Sequence, residues 1–421
     1  MCHARRAPSN HEILPRPPLA KGGWGDLGGY FLTKYLEEYM DFEPSNRQKH
    51  IRTAVREFAE GVLAPIAQEC ELTEKFPQDL IKKAAQLGFI GVFFKKEYGG
   101  LGLGYSEHAI ILEEFWRVDP GLGQVLAQSI FGAEQVMLFG TEEQRKKYLP
   151  PLARGDWVTG FSITEPEAGS DAASAITSAV RDGEEYVING NKVMISNGSV
   201  ANFLLVFCLT HPDTTSRSKR HSILVVETDR PGFKADKIHG KMGVRASDTA
   251  NIYFNNVRVP KENLVGIEGN GFIQLMRFLD HSRVAVAAHG VGLAQGALEQ
   301  AVNYVKKRKQ FGQTIGSFQA TQIKIAEMAT LVETARSLVQ KAAWNLDRGN
   351  PNTQLSAMAK WWSCHIAVKV VDEALQLHGG YGYIGDYPIE RFYRAAKLLE
   401  LYEGTREIQK LTIARRILGM G

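Results

Sequence analysis

The stretch AAKLLELYEGTREIQKL places Glu403 directly after Leu398, Leu399, Leu401 and Tyr402, and directly before Gly404 and Thr405. A carboxylate among apolar neighbours loses hydration, which raises its pKa and makes it a stronger base. Gly404 lets the chain turn sharply, and Thr405 can cap a helix that starts at Arg406. On these residues alone, a capping or ion-paired glutamate at a helix entrance is the simpler reading. General-base chemistry is the sharper one.

Four other strings could hold a ligand. In FSITEPEAGSD (Phe161 to Asp171) a strand ends at Thr164 and a polar turn follows. Ser170 and exposed backbone N–H groups there could receive a phosphate, with Gly169 allowing close approach; an ordinary β-loop is the competing reading. NGNKVMISNGS (Asn189 to Ser199) reads first as a hairpin and second as a ligand wall. KKRKQFG (Lys306 to Gly312) gathers cations at a helix C-terminus, where Arg308 either meets an anion or is solvated. QLHGGYGY (Gln376 to Tyr383) has adjacent glycines, a helix cap or a close approach to a ligand.

Other chemistries are disfavoured. GGLGLG (Gly99 to Gly104) is not GxGxxG, GVGLAQG (Gly290 to Gly296) lies inside a helical stripe, and GxxxxGK[ST] is missing. A nicotinamide Rossmann site or a P-loop is not expected. The 11 histidines form no HExxH, and the 4 scattered cysteines form no CxxC, so neither a metal nor a disulfide framework is expected. A net charge of +4 on 421 residues does not suggest a nucleic-acid binder, and no apolar run reaches membrane-spanning length.

The elements that must position these strings fall into three stretches. Residues 40–156 read as helical, with Ile51, Val55, Phe58, Val62 and Ile66 on one face. Pro77 suits a first turn, Asp119-Pro120 starts a helix, and TEEQ (Thr141 to Gln144) is a capping box. Residues 157–268 read as short strands, with hairpins at Asp182-Gly183 and Asn189-Gly190 and a buried strand FLLVFCL. Residues 269–421 read as a bundle of long helices, since Val284, Val291, Leu298 and Val305, then Ile325, Val332, Val339 and Leu346, recur every seventh residue. The fold class is α+β: an N-terminal helical domain, a central antiparallel β sandwich or barrel, and a C-terminal four-helix bundle. Residues 1–39, rich in Pro and Gly, read as a disordered or non-native extension.

Singly these strings are weak, but their order is specific. TEPEAGSD, NGNKVMISNG, MGVRASDT, RKQFG, QLHGGYGY and YEGT resemble, in sequence, the ordered motifs of the acyl-CoA dehydrogenase family, from about Arg47 to Gly419. The resemblance implies FAD as cofactor and Glu403 as the base that takes the α-proton of an acyl-CoA thioester while the β-hydrogen leaves as hydride. It places Thr164, Ser170 and Ser196 at the flavin ring, pyrophosphate and N5 edge. Arg308, Phe311, Gln376, Gly379 and Gly380 would hold the ADP half across a subunit interface, with Thr405 and Glu407 as further FAD contacts. Asp280 and Arg283 fall near the CoA moiety, and Tyr402 and Gln128 at the substrate.

This chain departs from the family pattern at Met194, where a tryptophan is usual, and at Glu407, where some relatives carry an amide. Ser282 occupies the alternative base position of other branches and cannot act as a carboxylate, which puts the base in the YEGT turn. A helix from Leu122 to Leu138 is expected to line the acyl pocket, with Gln124 and Gln128 but no Lys or Arg. That disfavours a dicarboxylic acyl chain. The resemblance further implies a homotetramer, an electron-transferring flavoprotein as electron acceptor, and a cytoplasmic or mitochondrial-matrix location, with no nucleic acid or membrane partner. The rivals are an acyl-CoA oxidase and a DNA-associated relative with little dehydrogenase activity.

Overall fold

The computed structural model describes residues 43–420, so the expectation for residues 1–39 lies outside the described residues. Helix α1 (Asn46–Phe58) opens with a capping box in which the Ser45 hydroxyl accepts from the Gln48 N–H and the Gln48 side chain accepts from the Ser45 N–H. The predicted single face holds through Val55 and Phe58, but beyond the turn Leu63 and Ala67 are fully buried, while Val62 and Ile66 are only partly buried against the same core. The cause is a π-helical turn at Ala59–Leu63, whose extra residue moves the apolar face by one position.

Helices α2 (Ala67–Thr73), α3 (Gln78–Gln86), α4 (Tyr105–Val118), α5 (Pro120–Gln128), α6 (Ala133–Phe139) and α7 (Glu142–Ala153) follow. Pro77 is the N-cap of α3 rather than a first-turn residue. The Asp119 carboxylate caps α5 by accepting from the Leu122 N–H, and the Thr141 capping box starts α7. The single helix expected from Leu122 to Leu138 is broken instead. After Gln128 the chain leaves the helix so that Ile130 bridges to Thr159, and Gly132 turns it back with φ +93°. A β-carbon at Gly132 would also stand 3.0 Å from that of Phe161. Packing against the β-layer overrides the helical pattern here.

The β region comprises β1 (Thr159–Ser162), β2 (Ser178–Asp182), β3 (Glu185–Ser196), β4 (Phe203–Leu209), β5 (His221–Glu227), β6 (Phe233–Lys237), β7 (Thr249–Pro260) and β8 (Leu264–Val265). The sheet order is β6-β7-β3-β2-β4-β5-β8, with β1 beside β4. Most pairings are antiparallel as expected, but β1–β4 and β2–β4 run parallel. β4 is buried on both faces. Leu204, Val206 and Cys208 share a core with Ile188 of β3 and Ile252 of β7. Phe203, Leu205 and Phe207 join the core of the N-terminal helices. Each such side chain stabilises the fold by roughly 1.5–3 kcal/mol.

The first predicted hairpin is present, with Asp182 paired to Glu185 across Gly183 and Glu184. The second is not. Asn189-Gly190 lies inside β3, where the register to β7 shifts between Ile188 and Gly190. The Asn189 side chain is spent across the sheet, accepting from the Asn256 N–H at 2.8 Å. An Asn-Gly pair serves a bulge as well as a turn, because both need unusual backbone angles.

Helices α8 (Gly271–Val305), α9 (Gln319–Asp347), α10 (Thr353–His378), α11 (Ile389–Leu399) and α12 (Arg406–Ile417) complete the chain, with a short hairpin, β9 (Lys309–Gln310) and β10 (Gln313–Thr314), between α8 and α9. The seven-residue stripes are core: Val284, Val291, Leu298 and Val305 of α8 are buried, as are Val332, Val339 and Leu346 of α9. The GVGLAQG string of α8 lets α4 approach at backbone contact. A β-carbon at Gly292 would stand 2.2 Å from the Glu113 carbonyl oxygen, and one at Gly296 2.1 Å from that of Arg117.

Candidate active site

Glu403 sits in the turn between α11 and α12 with φ +56°, a left-handed conformation that a residue with a β-carbon rarely adopts. Such backbone costs about 1–3 kcal/mol and persists only where its surroundings fix it. Here they do. The Gln409 amide donates to the carbonyls of Glu403 and Gly404 at 2.9 and 3.1 Å. Lys360 Nζ donates to the Gly404 carbonyl at 2.7 Å, and Arg283 Nε to that of Glu403 at 3.4 Å. Gly404 turns with φ +91°, and a β-carbon on it would stand 2.5 Å from the Gln409 amide nitrogen. Thr405 caps α12 by accepting from the Ile408 N–H.

The Glu403 carboxylate accepts from the Ser282 hydroxyl at 2.7 Å. Burial pushes its pKa up, opposed by that hydrogen bond and by the charges of Arg283 and Lys360. The sequence reading attributed this dryness partly to Leu401, but Leu401 is 55% exposed. The Glu403 side chain turns toward α8, where Ser282 meets its carboxylate and Arg283 its carbonyl, and the neighbouring Tyr402 hydroxyl lies 2.9 Å from His289 Nδ1 of the same helix. His289 in turn stacks on Trp116 at 4.6 Å. Burial lowers the pKa of both Lys360 and Arg283.

The other candidates separate into distinct places. Arg308, Gln376, Gly379 and Gly380 come together around a cleft of about 410 Å³, with Tyr304 and Tyr381. The Arg308 guanidinium lies 5.2 Å over the Tyr381 ring. Phe311, at the tip between β9 and β10, is 92% exposed at φ +52°. Thr164 lies beside β3, its carbonyl accepting from the Val193 N–H at 2.9 Å, and β1 ends at Ser162, two residues earlier than expected. Ser196 closes β3 opposite Thr249, and Ser170 is exposed. Met194, at the second register shift of β3, is 66% exposed with φ +58°.

Two substrate candidates are used structurally. Asp280 accepts from the Thr353 hydroxyl at 3.0 Å, holding the start of α10, and Arg283 supports the Glu403 backbone. Gln128 is buried at the end of α5, where its carbonyl accepts from the Asn197 amide at 2.6 Å.

Three family models match the chain in order: Acyl-CoA dehydrogenase, N-terminal domain, over residues 45–156, the middle domain over 160–257, and the C-terminal domain over 269–418. The chain belongs to the acyl-CoA dehydrogenase family. It is similar to the short-chain-specific acyl-CoA dehydrogenase of Clostridium acetobutylicum, 43% identical over 379 residues that span 90% of this chain and 100% of that one. It is also similar to acryloyl-CoA reductase (NADH) of Anaerotignum propionicum, 42% identical over 393 residues, 92% of this chain and 99% of that one. Among solved structures, butyryl-CoA dehydrogenase from Megasphaera elsdenii matches with a TM-score of 0.87 at 36% identity, covering 90% of this chain and 100% of that one.

Acyl-CoA dehydrogenases are oxidoreductases acting on CH–CH groups, and their cofactor is FAD. The residues present fit such a group. The Arg308 cleft has no acidic residue in its lining, and β-carbons at Gly379 and Gly380 would meet open space, so a phosphate-bearing ligand can approach the backbone. Glu407, the acidic departure, is paired with Arg406 at 2.6 Å, which offsets its charge.

The sequence alone did not reveal the groups around the Glu403 turn: Lys360 and Gln409 on its carbonyls, the Ser282 hydroxyl on its carboxylate, and His289 on the Tyr402 hydroxyl. A lysine inside the apolar run of α10 was the one legible signal, since a buried cation needs a partner.

Proposed function

We propose that this chain is an FAD-dependent acyl-CoA dehydrogenase that converts an acyl-CoA thioester to its trans-2-enoyl-CoA, with Glu403 as the base for the α-proton. The observation that carries this reading is the Glu403 turn: a carboxylate made more basic by burial, fixed in a left-handed backbone, at the position where the family has its base. When bound, FAD accepts the β-hydrogen as hydride. The protein's own share is to hold the carboxylate still and keep water from it. Ser282 orients one oxygen by hydrogen bonding, leaving the other to meet the α-proton. The Glu403 N–H is suited to bind the thioester carbonyl as negative charge develops.

Thr164, Ser170 and Ser196 are assigned to the flavin and pyrophosphate, and the Arg308 cleft with Phe311 to the ADP half of FAD bound to a neighbouring subunit. A homotetramer and an electron-transferring flavoprotein acceptor complete the reading. Among the described residues no helix is long and apolar enough to cross a membrane.

The test is anaerobic bleaching of the flavin by acyl-CoA esters. Glu403→Gln is expected to retain FAD and bind the ester, yet lose roughly 10²–10⁴-fold or more in turnover. Near-normal bleaching in that variant removes Glu403 from the mechanism.

A further inference from the structure

The reading above gives Glu134 no task. It stands in α6, 7% exposed, and no side chain among the described residues hydrogen-bonds to its carboxyl. Packing places it near the base. Phe131, three residues earlier, packs against Phe278 with ring centroids 5.4 Å apart, and Phe278 lies one helical turn before Ser282. Gln135, the next residue, donates to the Gln274 carbonyl on the same helix at 3.3 Å. From the side of α4, Tyr105 packs beside His281 at 5.1 Å, and its hydroxyl is buried without a partner. The charge of Glu134 reaches this phenol, and that of Glu403 reaches Glu134.

Buried polar groups without partners are uncommon, and a plain alkyl chain would leave this carboxyl with nothing to bond. We propose that Glu134 is a specificity group: as the neutral acid it donates a hydrogen bond to an oxygen carried by the acyl chain beyond Cβ. The preferred thioester therefore bears a keto or hydroxyl oxygen. This rests on Glu403 being the α-proton base. The four residues from Phe278 to Ser282 rise about 6 Å along α8, so the probe chosen carries its oxygen some four bonds beyond Cα. Burial and the Glu403 charge push the Glu134 pKa up to about 8, so it holds its proton at neutral pH.

The test compares 5-oxohexanoyl-CoA with its apolar isostere 5-methylhexanoyl-CoA on the FAD-loaded protein, by anaerobic flavin bleaching and by kcat/KM with an artificial acceptor. The wild type should favour the keto ester by roughly 10-fold or more. Glu134→Leu should reverse that preference, and Glu134→Gln should keep part of it because an amide also donates. In the wild type the preference should shrink as pH rises through about 8, since a carboxylate cannot donate. That pH series uses the unmodified protein and so does not depend on the variants folding. A wild-type preference for the apolar ester, or a ratio that neither substitution nor pH moves, overturns the proposal. If both esters bleach the flavin and Glu403→Gln stops both, only the role of Glu134 has failed. If Glu403→Gln stops neither, the reading of the base has failed with it.

Discussion

Glu403 and Phe311 share an unusual backbone, with φ +56° and +52°, yet their surroundings differ completely. The Glu403 turn is held from inside the chain: Gln409 and Lys360 are both fully buried and both spend their polar heads on its carbonyls. Phe311 is 92% exposed, and Met194, also left-handed at φ +58°, is 66% exposed. Strain in a well-clamped turn is explained by the clamp. An exposed apolar side chain on a strained backbone leaves room for a contact outside the chain, and we propose that a bound cofactor and a neighbouring subunit make it at Phe311 and Met194. The Glu403 turn is held entirely within one chain, whereas Phe311 and Met194 face outward.

The largest effect on the self-contained side concerns Glu134. Its pKa of about 8 in the folded protein, against an ordinary 4.5, means that between these values the folded state holds a proton that the unfolded state releases. Stability therefore falls as pH rises through that window, by up to about 1.4 kcal/mol per pH unit. Urea unfolding at pH 5 and pH 8 should show this slope in the wild type, and Glu134→Gln should flatten it. Next, Gln409→Ala removes two hydrogen bonds to the strained turn and should cost roughly 1–3 kcal/mol, read as a lower Tm together with slower turnover. An unchanged Tm would mean that the turn is held by other groups.

Phe311→Ala tests the opposite side. It should lower FAD retention by about 10-fold while leaving the pH dependence of turnover unchanged; equal retention would make the loop a solvated tip and break the comparison. The smallest effect belongs to Ser282→Ala. The hydroxyl stabilises the charged carboxylate, so its loss should move the acid limb of kcat/KM to higher pH, with a fall at pH 7 of about 10-fold at most. A shift to lower pH would contradict the hydrogen-bond direction assigned here.

Much of the fold was legible because it repeats. The stripes of α8 and α9, the capping box at Thr141 and the buried apolar strand β4 all follow local patterns that the chain itself carries. The break between α5 and α6 and the bulge at Gly190 were missed because a partner strand decides the backbone there, and the π-turn at Ala59–Leu63 because one extra residue per turn leaves no mark in a regular helical period.

By itself, the sequence determined the order helical, β, helical, the candidate base at Glu403, and the position of each string that could meet a cofactor. Only the tertiary structure decided what makes that carboxylate basic and what holds it. Ser282 reaches the carboxylate from α8, Lys360 and Gln409 hold the carbonyls of its turn from α10 and α12, and Leu401, its near neighbour in the chain, faces solvent. A pKa depends on everything packed around a group in space, and chain neighbours supply only part of that surrounding.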